Sequence, residues 1–360
     1  MKKLIALLLA LVMVVGLVAC GTKEEAAAPE AAPEAAPEAA PEAAPEAAPE
    51  AAPEADEDIV VAGVVFQDDQ FMNLVIQGCE AAAKDAGVEI LTANTNNDQA
   101  KETELINTYV SQGVDGICIA PLSADASVAT LKAANEQGML VTITDAHLNN
   151  ADFIVSGYTS NDYENCLAAG KEAAELILAK HGDETISVGI VQFASLLPDQ
   201  SGNRVKGYLA GLDEAGVKYE VVADQDAWMQ DTALETAGAI ITANPDLDVI
   251  ITVNDGGTIG STMAVVNAGL QDQIMVFGHD GSEQISSMIM DDASPLMSVV
   301  AQDPYTMGYC ATADLIAAIK GEDYSDTKGQ FTFTAGIVLS CADKDAVNVW
   351  RVGQGYDEIK

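Results

Sequence analysis

The amino-acid sequence predicts an α/β protein made of two Rossmann-like lobes in tandem, each a parallel sheet flanked by helices. From Ile59 onward, short apolar runs bounded by turn residues alternate with helical stretches, the cadence of strand, helix, strand units. That alternation occurs twice. Length and composition agree with it: 360 residues exceed one average domain, aromatics are only 5 %, and Ala, Val, Ile and Gly abound, as in sheets covered on both faces.

In the first run, Ile59–Val65, Val88–Ala93, Val114–Ala120, Met139–Thr144 and Phe153–Tyr158 read as strands, with helices between the first four. A helix over Asn161–Lys180 follows. The second run reads Ile186–Phe193, Val217–Ala223, Val249–Val253, Ile274–Gly278 and Met297–Ala301 as strands. Leu74, Val75, Gly78 and Ala82 keep helical spacing up to Ala86-Gly87, a stop that tolerates positive φ. Leu105, Ile106, Tyr109 and Val110 repeat the pattern before Gly113, and Leu167, Ala174, Ile177 and Leu178 do so before Lys180-His181-Gly182. These faces are core.

The chain before Ile59 has another character. Met1-Lys-Lys3 is basic, Leu4 to Val18 is an apolar run too short to span a bilayer, and Leu17-Val-Ala-Cys20 closes it. This resembles a bacterial lipoprotein signal, which implies removal of residues 1–19 and acylation of Cys20, tethering the protein to the cell membrane from outside. Residues 24 to 58 are nearly pure Pro-Glu-Ala-Ala, with proline at every fourth position from 29 to 53. Proline denies a helix its bonds and the glutamates repel one another, so residues 20–58 read as the lipidated cysteine and a disordered spacer. At about 3.1 Å per residue it reaches on the order of 100 Å.

Net charge is −40 with only 16 basic residues, which argues against a nucleic-acid partner. No phosphate loop, H-E-x-x-H or G-x-S-x-G occurs, and His147, His181 and His279 are dispersed. Neither an enzyme, a cofactor nor a metal site is expected. Beyond Cys20, the five cysteines at 79, 118, 166, 310 and 341 are odd in number, so at least one stays unpaired within the chain.

Polar groups recur at the carboxyl ends of predicted strands, where open α/β sheets bind ligands. They are Asp68 and Asp69 with Phe71 and Met72; Asp145; Arg204, opening a helix; Trp228; Asn254-Asp255; Asp280; and Gln302-Asp303. Any one alone suits a helix cap or a solvated loop acid. Their recurrence marks one face of each sheet.

At these residues the chain resembles the ribose/galactose group of periplasmic-type sugar-binding proteins of ABC transporters, over about Ile59 to Asp345. Asp68-Asp-Gln-Phe-Met72 and Ala93-Asn-Thr-Asn-Asn-Asp-Gln99 resemble segments of the galactose/glucose members. Ala227-Trp228 with Asp231-Thr-Ala233, Asn254-Asp255 and Phe277-Gly-His-Asp280 continue the match in order. The resemblance implies the type I periplasmic binding protein fold, two lobes joined by a three-segment hinge near Gly157–Ser160, Gln302–Pro304 and Gly329–Phe333. The lobes would comprise 59–158 with 303–330, and 159–302 with 331–360.

It further implies a monosaccharide ligand, a hexose such as galactose or glucose or a pentose such as ribose, with Phe71 and Trp228 sandwiching the ring. Asp69, Asp145, Asn254, Asp280 and Gln302 would bond hydroxyls, Arg204 would donate in a fork, and Met72 would be a rim contact. The closed form would dock on an ABC permease, the protein acting as a monomer. A sensor presenting ligand to a receptor or kinase is the alternative. The chain departs from the family in carrying Ala146 where ribose-type members carry Arg, and in lacking the calcium loop of the galactose type between Lys180 and Thr185. Three or four carboxylates then face one guanidinium, which disfavours anionic ligands and tolerates a neutral polyol or an amine.

Overall fold

A computed structural model describes residues 59–360. The signal, Cys20 and the spacer lie outside the described residues.

The first run supplies β1 (Val60–Val65), α1 (Gln70–Ala86), β2 (Glu89–Asn94), α2 (Gln99–Gln112), β3 (Gly116–Ile119), α3 (Ala126–Glu136), β4 (Leu140–Asp145) and β5 (Gly157–Ser160). The second supplies α4 (Asp162–His181), β6 (Thr185–Gln192), α5 (Pro198–Glu214), β7 (Lys218–Asp226), α6 (Gln230–Ala243), β8 (Val249–Thr252), α7 (Asp255–Ala268), β9 (Met275–His279), α8 (Glu283–Met290) and β10 (Leu296–Ala301). The chain ends with α9 (Pro304–Ile319), β11 (Phe331–Thr334), β12 (Ile337–Ser340) and α10 (Lys344–Gly353).

Two six-stranded sheets result, in the orders β11-β5-β4-β3-β1-β2 and β12-β10-β9-β8-β6-β7. Every pairing is parallel except β10 with β12. Strand order reverses beside β1 in the first sheet and beside β6 in the second, so each lobe opens a crevice at the carboxyl ends of those strands. Interior strands β3, β8 and β9 are buried along their whole length, whereas the edge strand β2 is buried nowhere. Ile117, Val141, Ile250 and Val276 are fully buried, each worth about 1.5–3 kcal/mol relative to exposure.

The chain crosses between the sheets three times: after β5, after β10 and after β11. The third crossing corrects the sequence reading, which placed residues 331–360 wholly in the second lobe. Phe331–Thr334 pairs with Gly157–Ser160 in the first sheet, so the crossing runs through Ala335 and Gly336. Four residues on a sheet edge, two half-buried and two exposed, carry too short an alternation to separate strand from linker. The expected strand at Phe153–Tyr158 likewise begins later, at Gly157, because Ile154 closes a turn onto Ala151.

Returning helix α9 packs on α1, completing the first lobe, as α4 packs on α5 in the second. Both crossings are made of glycine. A Cβ on Gly78 would strike the Tyr305 carbonyl, and one on Gly308 the Val75 carbonyl. Backbones this close leave no room for any side chain.

Candidate functional site

β1 leads through Gln67 to Asp69, which caps α1: its Oδ1 accepts from the Met72 N–H at 2.7 Å, and Gln67 Nε2 donates to Oδ2. This turn buries Phe71 and Met72 at the start of the helix. At the end of β4, Asp145 takes a left-handed backbone with φ 64°, its carbonyl accepting from Thr159 Oγ1. Asp280, directly after β9, does the same with φ 70°. These are the fourth strands of their respective runs, and aspartate is among the few residues that enter this region readily. Each lobe thus bends its chain at the same point to aim a carboxylate into the crevice.

The second lobe adds the remainder. Arg204, on α5, is 3 % exposed, donating from Nε to Asp162 Oδ1 at 2.7 Å and from Nη1 to the Val253 carbonyl at 3.0 Å. Its guanidinium carbon lies 5.3 Å from the centre of the Phe193 ring. Asn254 caps α7, accepting from Gly257 N–H at 3.2 Å while its amide donates to the Trp228 carbonyl at 2.8 Å. Gln302 Nε2 donates to Asp280 Oδ1 at 2.6 Å.

All nine sequence-predicted positions, Asp69, Phe71, Met72, Asp145, Arg204, Trp228, Asn254, Asp280 and Gln302, line one cavity between the sheets. Seven further residues line it, of which sequence reasoning named Asp255 as a strand-end acid without a ligand contact and gave no role to Phe66, Gln67, Phe193, Leu196, Leu197 and Gln200. Asp162, behind Arg204, was also missed. Asp255 follows a capping Asn and Asp162 opens a helix, positions where acids are common for local reasons. Asn254 is occupied on both ends of its amide, so it fixes the Trp228 loop in addition to facing the cavity.

Electrostatically the cavity is strained toward protonation. Burial pushes the Asp145 carboxyl up to about 7 despite the opposing pull of Arg204, with Asp162, Asp280 and Asp69 adding to the rise. Burial takes Asp280 to about 6, against Arg204 and the Gln302 amide. Asp69 is raised by burial, offset by the Met72 N–H and Gln67. Asp255 is raised well above the usual range by burial, with Asp69 and Asp280 reinforcing it. Burial alone would lower Arg204, but Asp162, Asp280 and Asp145 outweigh it and hold the guanidinium charged. His279, behind Asp280, is driven well below its ordinary value by burial and by Arg204, and is neutral.

Two lobes hinged by three crossings, with polar groups and aromatics from both walling one cavity, define a solute-binding protein. Residues 59–323 match the profile of the periplasmic binding protein domain, and the chain belongs to that family. It is 28 % identical over 269 residues to the ABC transporter periplasmic-binding protein YphF of Escherichia coli (strain K12), covering 73 % of this chain and 81 % of that protein. It is 27 % identical to the D-allose-binding periplasmic protein of the same organism, covering 64 % and 75 %. The crystal structure of a periplasmic solute-binding protein from Actinobacillus succinogenes 130z with bound D-allose superposes with a TM-score of 0.71 at 20 % identity, covering 80 % of this chain and all of that one. That likeness establishes the type I fold.

Proposed function

We propose that this protein captures a monosaccharide between its two lobes outside the cytoplasm and delivers it to an ABC permease. The observation that carries this is the convergence of nine side chains, from the strand ends and the helices that follow them in both lobes, on one cavity. Phe71 and Trp228 offer apolar faces for the C–H surface of a sugar ring. Asp69, Asp145 and Asp280 accept from hydroxyls, and a missing hydroxyl would leave a buried acceptor unpaired, which makes the site selective. Relatives named for D-allose, D-apiose and ribose support the sugar class.

Hinging at the three crossings opens and closes the crevice. Gln70 Nε2 on α1 reaches Gln284 Oε1 on α8 at 3.2 Å, a contact between the lobes that opening would break. Among the described residues no helix is long and apolar enough to cross a membrane. Attachment through lipid on Cys20, with residues 20–58 as a tether and a single copy as the working unit, completes the proposal. Calorimetric titration with hexoses and pentoses, paired with small-angle scattering, tests it. The expected result is saturable binding with a fall in radius of gyration; sugar binding with no change in radius would overturn the closure step.

A further inference from the structure

The charge balance of the cavity is more one-sided than its strand-end residues alone suggest. Asp69, Asp145, Asp255 and Asp280 all line it, and among the described residues Arg204 is the one basic side chain on its wall. That guanidinium is engaged from behind by Asp162 at 2.7 Å and by the Val253 carbonyl at 3.0 Å. Arg204 and Asp162 together sum to zero, and burial raises Asp255 well above the usual carboxylate range, so Asp69, Asp145 and Asp280 are the groups that carry charge toward the ligand without a countercharge.

Acceptors predominate among the polar atoms left over, with the Trp228 Nε1–H a donor among them. Asp145 is 3 % exposed, and among the described residues its carboxylate receives no hydrogen bond. Gln67 Oε1 and Gln302 Oε1 are buried on the same wall without a partner. The carboxylates surround a space instead of converging on a point: among the described residues no three His, Cys, Asp or Glu side chains are placed to hold a metal ion.

We infer that the ligand of this cavity carries a protonated amine, as an amino-substituted monosaccharide or polyol does, with its ammonium held by Asp145 and the neighbouring carboxylates. The inference rests on the sugar-binding reading above and narrows it. An ammonium brings three donors and no acceptor, which matches an acceptor-rich wall. The faces of Phe71 and Trp228 attract a cation as well as a C–H surface. A neutral sugar also donates to carboxylates but leaves their charge uncompensated; burial first, and the neighbouring carboxylates after it, raise the proton affinities of Asp145 and Asp280. An entering ammonium lowers both, so binding near pH 6.5 releases protons.

The test is calorimetric titration of the full chain at pH 6.5 with three matched pairs: galactose and galactosamine, glucose and glucosamine, mannose and mannosamine. Each titration is run in two buffers of different ionisation enthalpy. The expected result is at least tenfold tighter binding of an amino sugar than of its parent, with proton release on binding, and a ratio that shrinks in Asp145→Asn. The two-buffer measurement on the unmodified chain needs no variant. If a neutral parent binds as tightly as its amino counterpart or more so, the amine inference is overturned while the sugar reading stands. If no member of any pair binds a folded sample, the inference is overturned, and if ribose and other pentoses also fail to bind, the sugar reading fails with it.

Discussion

Arg204 and Asp162 form a buried ion pair 2.7 Å apart, with side chains 4 % and 8 % exposed, directly behind the ligand cavity. Asp162 opens the helix that follows the first hinge crossing, so the pair ties the cavity's cation to the hinge. Breaking a buried pair by removing one partner strands the other charge. Asp162→Asn is expected to cost about 3 kcal/mol, read as a drop of several degrees in the thermal midpoint. An unchanged midpoint would mean that the Val253 carbonyl suffices to hold Arg204.

Asp145 makes stability pH-dependent. Its carboxyl titrates near 7 in the folded chain and at the ordinary 3.8 when unfolded. Between these values the folded state binds more protons, so stability falls as pH rises through that window. His279, held neutral, acts oppositely below its unfolded value of 6.5, which is why the comparison is made against a variant. Asp145→Asn, which keeps the left-handed backbone, should stabilise the ligand-free protein above pH 7 by on the order of 3 kcal/mol and have little effect near pH 4. Midpoints of both proteins from pH 4 to 8 would show the gap widening; a constant gap contradicts the shift.

The two aromatics differ in what else they do. Phe71 is 8 % exposed and belongs to the main core cluster, whereas Trp228 is a partly buried residue packed against it. Phe71→Ala should cost about 3 kcal/mol of stability as well as ligand affinity. Trp228→Ala should weaken ligand binding tenfold or more at a smaller stability cost. Denaturant midpoints alongside titrations of the two variants separate these effects, and equal stability losses would contradict the assignment.

Gly78 is where α1 and α9 touch, its missing Cβ filled by the Tyr305 carbonyl. Gly78→Ala should force the helices apart and cost about 1–3 kcal/mol, with the thermal midpoint as readout. Gly238 on α6, with nothing near its missing Cβ, is the control: alanine there should be neutral or stabilising.

Periodicity and turn chemistry alone determined the strands of the two runs, the fifth only in its overlap at Gly157 and Tyr158, and the glycine stops at Gly87 and Gly113. Those are local properties, written in spacings of two and about four residues and in the need for positive φ. That Asp69 and Asp145 meet Arg204, Trp228 and Asp280 around one space depended on both lobes closing on each other, and only the strand-end recurrence hinted at it. Three features were decided by tertiary structure. β11 pairs with β5 at an edge 174 residues away in sequence, where four residues carry too little pattern. Asp255 joins the cavity wall because α7 begins there, although its sequence context reads as a helix start. Asp162 neutralises Arg204 from behind because α4 and α5 cross through Gly170, Gly207 and Gly211, a close approach that no spacing within either helix encodes. The fold follows from local pattern, whereas the charge of the cavity follows from which side chains the packed helices bring within 3 Å of one another.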